Sequence, residues 1–443
     1  MNTQPRRRLR RHAVPLLLLP LLAGLAGCES FGRGIAQAVM SGPSDPTADV
    51  RMCEGEGKPV GGIEPLLAEQ DGLGPIVEGD TGRPALKLLY VHGIGTHLVG
   101  HGAELINNVG RALGLDVRAP RTKRIELQAL PFPGETVGEL NLTRLTDQAR
   151  QRDLVFMELT WSGINAEAKE ALAFDSSDVY QSRRASLNGT LRSFVNDVAP
   201  DPVAYAGVRG TRIMSSVLQS ICWAFSTTWS ALPENTVGKT CGPELAGFGS
   251  RVDVDELAII THSLGSRATL DALARIAKAL PEADERYRSF ANSLRQHDLT
   301  VFMLSNQLPL LEAGANRAPI TGQADQFCGD ASPRAAERFV RNLNVVAFSD
   351  PNDLMSYPVP EAWARKYLDS RLCANVTNID INVATISSVL GIGNLANPLA
   401  AHTGYAADER VGGILAKGMG TPNVAPIVAE RCTWRATDER LMN

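Results

Sequence analysis

The 443-residue chain predicts an α/β fold: a mostly parallel central sheet with helices on both faces. Two observations predict it. Near-continuous apolar runs of strand length alternate with stretches of helical periodicity, which is how strands buried on both faces of a parallel sheet read. One of those runs, Leu257-Ala258-Ile259-Ile260-Thr261, passes through His262 into Ser263-Leu264-Gly265-Ser266 and then directly into a helical pattern. A buried strand that turns sharply into a helix is the repeating joint of such folds.

The elements follow in order. Glu29 to about Pro84 is rich in Gly, Pro, Ser and Asp, and reads as a tether with an irregular lead-in. Leu86–Val91 is a buried-type strand and 103–113 a helix. Residues 124–130 and 154–160 read as strands. Between Ser162 and Ser250 the pattern is mostly helical. Its stripe of Ile213, Met214, Val217, Leu218, Ile221, Cys222, Phe225 and Trp229 is expected to pack on the sheet, as such stripes usually do; the alternative is a cap or lid. Residues 255–261 form the strand before Ser263. Leu264, Ala268, Leu270, Leu273, Ile276, Ala277 and Leu280 then repeat at helical spacing up to Pro281. Further strands are expected at 299–304, 343–348 and 376–384. The organisation is therefore a leader (1–27), a tether and lead-in (28–84), and one α/β domain (85–443) with a helical insertion at 162–250.

Arg6, Arg7, Arg8, Arg10 and Arg11 precede an apolar stretch from Val14 to Leu25 that contains Pro15 and Pro20. That stretch is too short to span a bilayer and has the flanks of a secretory leader. It ends in Leu25-Ala26-Gly27-Cys28, which resembles the lipobox of bacterial lipoproteins. The resemblance implies cleavage before Cys28 and lipidation of it, hence membrane attachment at the cell envelope. The residue after the cysteine is Glu29, not aspartate, which points to the outer rather than the inner membrane. The whole chain carries a net charge of −4; without the five leader arginines it would be about −9. An acidic surface excludes nucleic acid as the expected partner and leaves attachment to the lipid rather than to a polybasic patch.

Six further cysteines, an even number in an exported chain, suggest disulfides. Cys222 and Cys241 flank one apolar helix and its following loop and are expected to pair. Cys328 with Cys373 is the second expected pair, and Cys53 with Cys432 would tie the two ends. Cys-x-x-Cys spacing is absent, so no zinc site is expected.

Candidate chemistry begins at Ser263. The strand–serine–helix context is that of a nucleophile elbow, in which residues around the serine must be small for the chain to turn. Gly265 meets that need; Thr261 stands where glycine is common. The second signature is Lys87-Leu88-Leu89-Tyr90-Val91-His92-Gly93-Ile94-Gly95, a strand running into His-Gly-x-Gly. In α/β-hydrolases, which this strand and loop resemble, the position supplies an oxyanion-hole N–H and its glycines let the backbone approach closely; the resemblance implies Ile94 and Leu264 as the two donors. His92 is expected to hold the loop rather than transfer protons. His97, His101 and Glu104 are set aside as a metal site, because Gly100 and Gly102 make a shared helical face doubtful. Only His297 and His402 follow the serine. In the α/β-hydrolase fold, which these signatures resemble, the triad runs in the chain order serine, acid, histidine; His297 precedes the late strands that would carry the acid, so the resemblance implies His402 as the base. Asp350 and Asp353 compete as the acid. Asn352-Asp353-Leu354 through Pro358 resembles the Asn-Asp-apolar-x-Pro loop of fungal-type lipases, which favours Asp353 and leaves Asp350 as a brace.

Taken together, the segment from about Leu86 to Leu415 resembles the α/β-hydrolase superfamily, nearest to serine esterases and lipases. The resemblance implies an ester or lipid substrate and a Ser263–His402–Asp353 triad, with His92, Gly93, Gly95, His262 and Gly265 as residues of the two supporting motifs. It implies acyl-enzyme chemistry without metal or organic cofactor. Acyl transfer by the same triad, or a non-catalytic envelope scaffold, are the other readings.

Overall fold

The computed structural model describes residues 52–71, 73, 82–147, 151–181, 184–232, 236–245, 247–279, 284–314, 318–389 and 393–436. The leader, Cys28 and most of the expected tether lie outside these residues. The strands are β1 (Cys53–Gly57), β2 (Leu86–Val91), β3 (Asp116–Ala129), β4 (Phe132–Asp147), β5 (Arg152–Thr160), β6 (Thr236–Lys239), β7 (Glu256–His262), β8 (Asp298–Leu304), β9 (Asn342–Ser349), β10 (Ala374–Ile381), β11 (Ile386–Val389), β12 (Gly393–Ala396) and β13 (Thr433–Ala436). Eleven of them form one sheet in the order β13-β1-β10-β9-β8-β7-β2-β5-β4-β3-β6; β11 and β12 pair separately. From β10 through β5 every neighbouring pair is parallel. Antiparallel pairing occurs at β1 against β10 and in β5-β4-β3. The protein is thus α/β with a mixed, mostly parallel sheet.

The central strands are apolar throughout because both faces are covered. In β2, Leu86, Leu88 and Tyr90 enter one core, while Leu89 and Val91 enter the other. On the first face lie helices α1 (Ala103–Leu113) and, late in the chain, the helix Glu409–Lys417, packed against each other. On the second lie Gly210–Ser226 and Leu264–Ala279. Lys87 is the exception in β2. Its buried Nζ lies 2.7 Å from Asp255 and donates to the Thr227 carbonyl. Burial lowers its pKa against the pull of Asp255.

After β5 the chain runs through short helical turns at Ser162–Asn165 and Ala166–Glu170. It then forms α2 (Ser186–Val198), α3 (Pro200–Ala206) and α4 (Gly210–Ser226). The α4 stripe faces the core: Ile213, Val217 and Ile221 are buried, and the helix packs on β2–β5 and on α5 (Leu264–Ala279). The part of the insertion that leaves the sheet is 162–206.

Two features exceed the sequence expectation. The strand at 124–130 is part of a long antiparallel hairpin, β3 with β4, and β4 has no counterpart in the apolar runs. Its inward Leu140 and Leu142 alternate with Asn141 and Thr143, so it reads with a strand period of two and without an apolar block. The lead-in before residue 85 supplies β1 and a helix at Glu64–Ala68. β1 docks on β10 at one side and β13 at the other. The cysteines pair as Cys53–Cys432, Cys222–Cys241 and Cys328–Cys373, with Cα separations of 4.5, 5.8 and 5.4 Å, within the usual disulfide range. Among the described residues no helix is long and apolar enough to cross a membrane.

Candidate active site

Parallel strands bring their carboxyl ends to one edge, and the candidate residues collect there. β7 delivers Ser263, β8 Ser305, and the loop after β9 Asp353. His402 lies in α6 (Pro398–Thr403), whose first turn is capped by Asn397 accepting the Leu399 and Ala400 N–H groups. All four side chains are buried.

Ser263 has φ +54°, a left-handed conformation that costs a non-glycine residue energy and persists only when its surroundings hold it. What holds it is close packing on the end of β2. A Cβ on Gly265 would stand 2.4 Å from the Val91 carbonyl oxygen, and one on Gly93 would stand 2.5 Å from Ser263 Cβ. Both positions therefore require glycine. Thr261 is accommodated because its hydroxyl is satisfied: Oγ1 lies 2.8 Å from Ser266 Oγ and 3.3 Å from the Phe302 carbonyl.

His402 Nε2 lies 3.2 Å from Ser263 Oγ, and Nδ1 lies 2.9 Å from Asp353 Oδ2. Asp353 is therefore the carboxylate the fold places on His402. Asp350 instead ties loops together. It accepts the N–H groups of Asn352, Val383 and Ala384, and its own N–H donates to Tyr405 Oη. Burial works against ionisation of Asp353, but hydrogen bonds from His402, Ser305 and the Met355 N–H outweigh it, holding the carboxyl below the ordinary carboxylate range. His262 braces His402 from behind: its Nε2 donates to the His402 carbonyl at 2.8 Å. Burial lowers the His262 pKa to about 3, so it stays neutral.

Ser305 has no signal in the sequence. It too has positive φ, +50°, and its hydroxyl donates to Asp353 Oδ2 at 2.7 Å while standing 2.8 Å from His402 Nδ1. The Asp353 oxygen facing His402 thus receives two donors, and Oδ1 receives the Met355 N–H.

The loop after β2 is held from two sides. His92 stacks on Trp161. Its Nδ1–H donates to the Gly93 carbonyl, and Nε2 accepts the Trp161 N–H at 3.0 Å. Burial keeps its pKa far below the usual histidine range. Asp201, on α3, is fully buried. It accepts the Gly95 N–H at 2.6 Å and the Asn165 amide at 2.9 Å, and pairs with Lys169 at 3.1 Å. Asp197, on α2, accepts the Thr96 N–H and hydroxyl. The helical insertion is thereby bolted to the segment that carries Ile94. Leu264 opens α5, so its N–H is a first-turn donor with no carbonyl of its own helix to meet. His97 and His101 pack with His92, at ring separations of 4.2 and 5.1 Å, and burial lowers both to about 4. Among the described residues no group of histidine, cysteine or carboxylate side chains is arranged to hold a metal.

Chemically, a histidine that donates Nδ1–H to a carboxylate presents a lone pair at Nε2, and that lone pair faces the Ser263 hydroxyl. No family model matches the chain, and no curated protein or solved structure proves similar to it.

Proposed function

We propose that the protein is a serine hydrolase that cleaves carboxylic esters, built on an α/β-hydrolase framework and lipid-anchored at a bacterial envelope through Cys28. The observation that carries this reading is the run of hydrogen-bond distances from Ser263 Oγ through His402 to Asp353 at a left-handed strand-to-helix turn. The chain order serine, acid, histidine agrees with it. So does the placement of all three on the carboxyl edge of a mostly parallel sheet.

In this reading Ser263 Oγ attacks the ester carbonyl carbon as His402 Nε2 takes the hydroxyl proton. Asp353 stabilises the imidazolium without itself taking the proton. The oxyanion is met by the Ile94 and Leu264 N–H groups, where loss of one donor can cost roughly 2.7–4 kcal/mol. The intermediate collapses, and the alcohol leaves with the proton held by His402. Water then attacks the acyl-enzyme, giving its proton to His402; as the second intermediate collapses and the acyl–oxygen bond breaks, His402 returns that proton to Ser263 Oγ and the carboxylic acid is released. Ser263 is fully buried, so admission of substrate requires displacement of the covering insertion or loops.

The test is fluorophosphonate labelling of the full chain beside its Ser263→Ala variant, with short- and long-chain esters assayed in parallel. Labelling and ester turnover that both vanish in the variant support the reading. A folded protein that neither labels nor hydrolyses any ester refutes it.

A further inference from the structure

Among the described residues, the large apolar side chains that stand exposed are distributed unevenly. With two exceptions, Leu73 and Val254, they sit at the carboxyl edge of the sheet or on segments that leave it. Leu98 (78 % exposed) follows β2, Leu354 (76 %) follows Asp353, and Leu399 lies in the helix of His402. Val179, Val203 and Val208 (88 %) belong to the insertion. Leu98 follows the loop whose Gly93 packs on Ser263, and Leu354 and Leu399 neighbour Asp353 and His402 in the chain. A rim of this composition around one site is what apolar partners bind, since isolated exposed residues would be spread over the surface.

The direction from which the chain enters the fold says which partner. β1 runs antiparallel to β10, with Cys53 opposite Ile381, the last residue of β10. The Met52 carbonyl accepts the Asn382 N–H. The segment joining Cys28 to the domain therefore meets it on the same edge that carries Ser263, His402 and the rim. That segment is short, reaching at most on the order of 80 Å fully extended. The Cys53–Cys432 disulfide fixes its point of attachment.

We propose that the rim rests on the lipid leaflet that holds the chain's own anchor, so that the substrates are esters of lipids presented by that leaflet. This rests on the reading of Ser263 as nucleophile and of Cys28 as lipidated. The same insertion that supplies Val203 to the rim holds the Gly95 N–H through Asp201. Lipid contact therefore bears on the loop after β2, whose Gly93 packs against Ser263.

The experiment uses the full lipidated chain in vesicles of phosphatidylethanolamine and phosphatidylglycerol, with and without acyl-chain-brominated lipid. Val203→Trp places a fluorophore on the rim, and Leu73→Trp places one on the other edge. Bromine quenching beyond wild type at position 203 and none at position 73 is the expected result. Equal quenching at both positions, or none at either, overturns the proposal. In parallel, the Val203→Asp/Val208→Asp double variant is assayed on an ester embedded in the vesicles and on a soluble short-chain ester. The embedded substrate is expected to slow by about tenfold, with the soluble one held within about twofold, since exposed substitutions barely perturb the fold. A parallel loss on both substrates, or no loss, also counts against it. Quenching at position 203 in a protein that hydrolyses neither ester would leave the surface standing and remove the catalytic reading. If the rim binds another protein, the quenching is absent.

Discussion

Asp350 and Asp353 stand three positions apart on one loop, yet their surroundings give them different work. Asp353 faces His402 Nδ1; Asp350 accepts three backbone N–H groups and faces no imidazole. Asp353→Asn is expected to lower kcat by on the order of 10³–10⁴-fold, because an amide there disturbs the tautomer and removes the charge that stabilises imidazolium. Asp350→Asn is expected to leave kcat nearly intact and to cost about 1–3 kcal/mol of stability, as donors lose their acceptor. Ester kinetics together with urea melts separate the two, and the opposite pattern would make Asp350 the acid. Ser305→Ala is expected to lower kcat by roughly tenfold, near the net worth of one hydrogen bond to a charged group. Melting temperature and KM should change little, and a variant as fast as wild type would deny Ser305 a positioning role. Ser263 was legible from a short-range signal, a strand and a small residue leading into a helix; His402 and the two aspartates were legible through the chain order of the fold the sequence resembles and a lipase-like loop. Ser305 was not. A serine after an apolar strand is commonplace, and only the fold carries β8 beside both β9 and the His402 helix.

At the level of elements, the insertion and the loop after β2 act as one unit joined by Asp201. Asp201→Ala leaves the Gly95 N–H, the Asn165 amide and Lys169 without their shared acceptor. Breaking a buried pair from one side is expected to cost roughly 3–5 kcal/mol. A displaced oxyanion donor is expected to slow fluorophosphonate acylation by up to about 100-fold, with substrate KM moving far less than kcat. Unchanged acylation in a destabilised but folded variant would limit Asp201 to a structural role. The buried histidines in and around that loop carry a pH dependence. Burial lowers His97 and His101 to about 4 and His262 to about 3, below the unfolded value of about 6.5. In that interval the unfolded chain binds more protons than the native one, so stability is full above about 6.5 and falls as pH drops through the interval. Thermal melts should show a declining midpoint from neutral pH toward pH 4, and a flat profile would contradict the buried neutral state of these rings. The central strands could be read because burial on both faces makes them apolar blocks. β4 and the Asp201 contact could not: the first is a half-polar strand, and the second joins residues on elements separated by some hundred positions.

For the molecule as a whole, the sheet is extended by β1 and β13, strands from opposite ends of the described chain, paired in parallel and closed by Cys53–Cys432. That disulfide has a sequence separation of 379 residues, against 19 for Cys222–Cys241. In the chain-entropy account the longer closure restrains the unfolded state more, roughly 6 kcal/mol against roughly 3 kcal/mol as upper figures. The Cys53 end of β1 and the start of β13 would gain freedom if it were lost. Removing Cys53 and Cys432 together by alanine substitution is therefore expected to lower stability more than removing Cys222 and Cys241. With Cys28 lipidated as proposed, it should also loosen the orientation of the carboxyl edge relative to that anchor, because β1 is the first strand of the described chain. Denaturant unfolding of the two double variants gives the first comparison. Tryptophan quenching at position 203 in brominated vesicles, repeated in the Cys53→Ala/Cys432→Ala background, gives the second. If the shorter bridge proves the more stabilising, native strain or residual structure outweighs loop closure here. If quenching is undiminished without the Cys53–Cys432 bridge, hydrogen bonding of β1 to β10 alone is enough to aim the site.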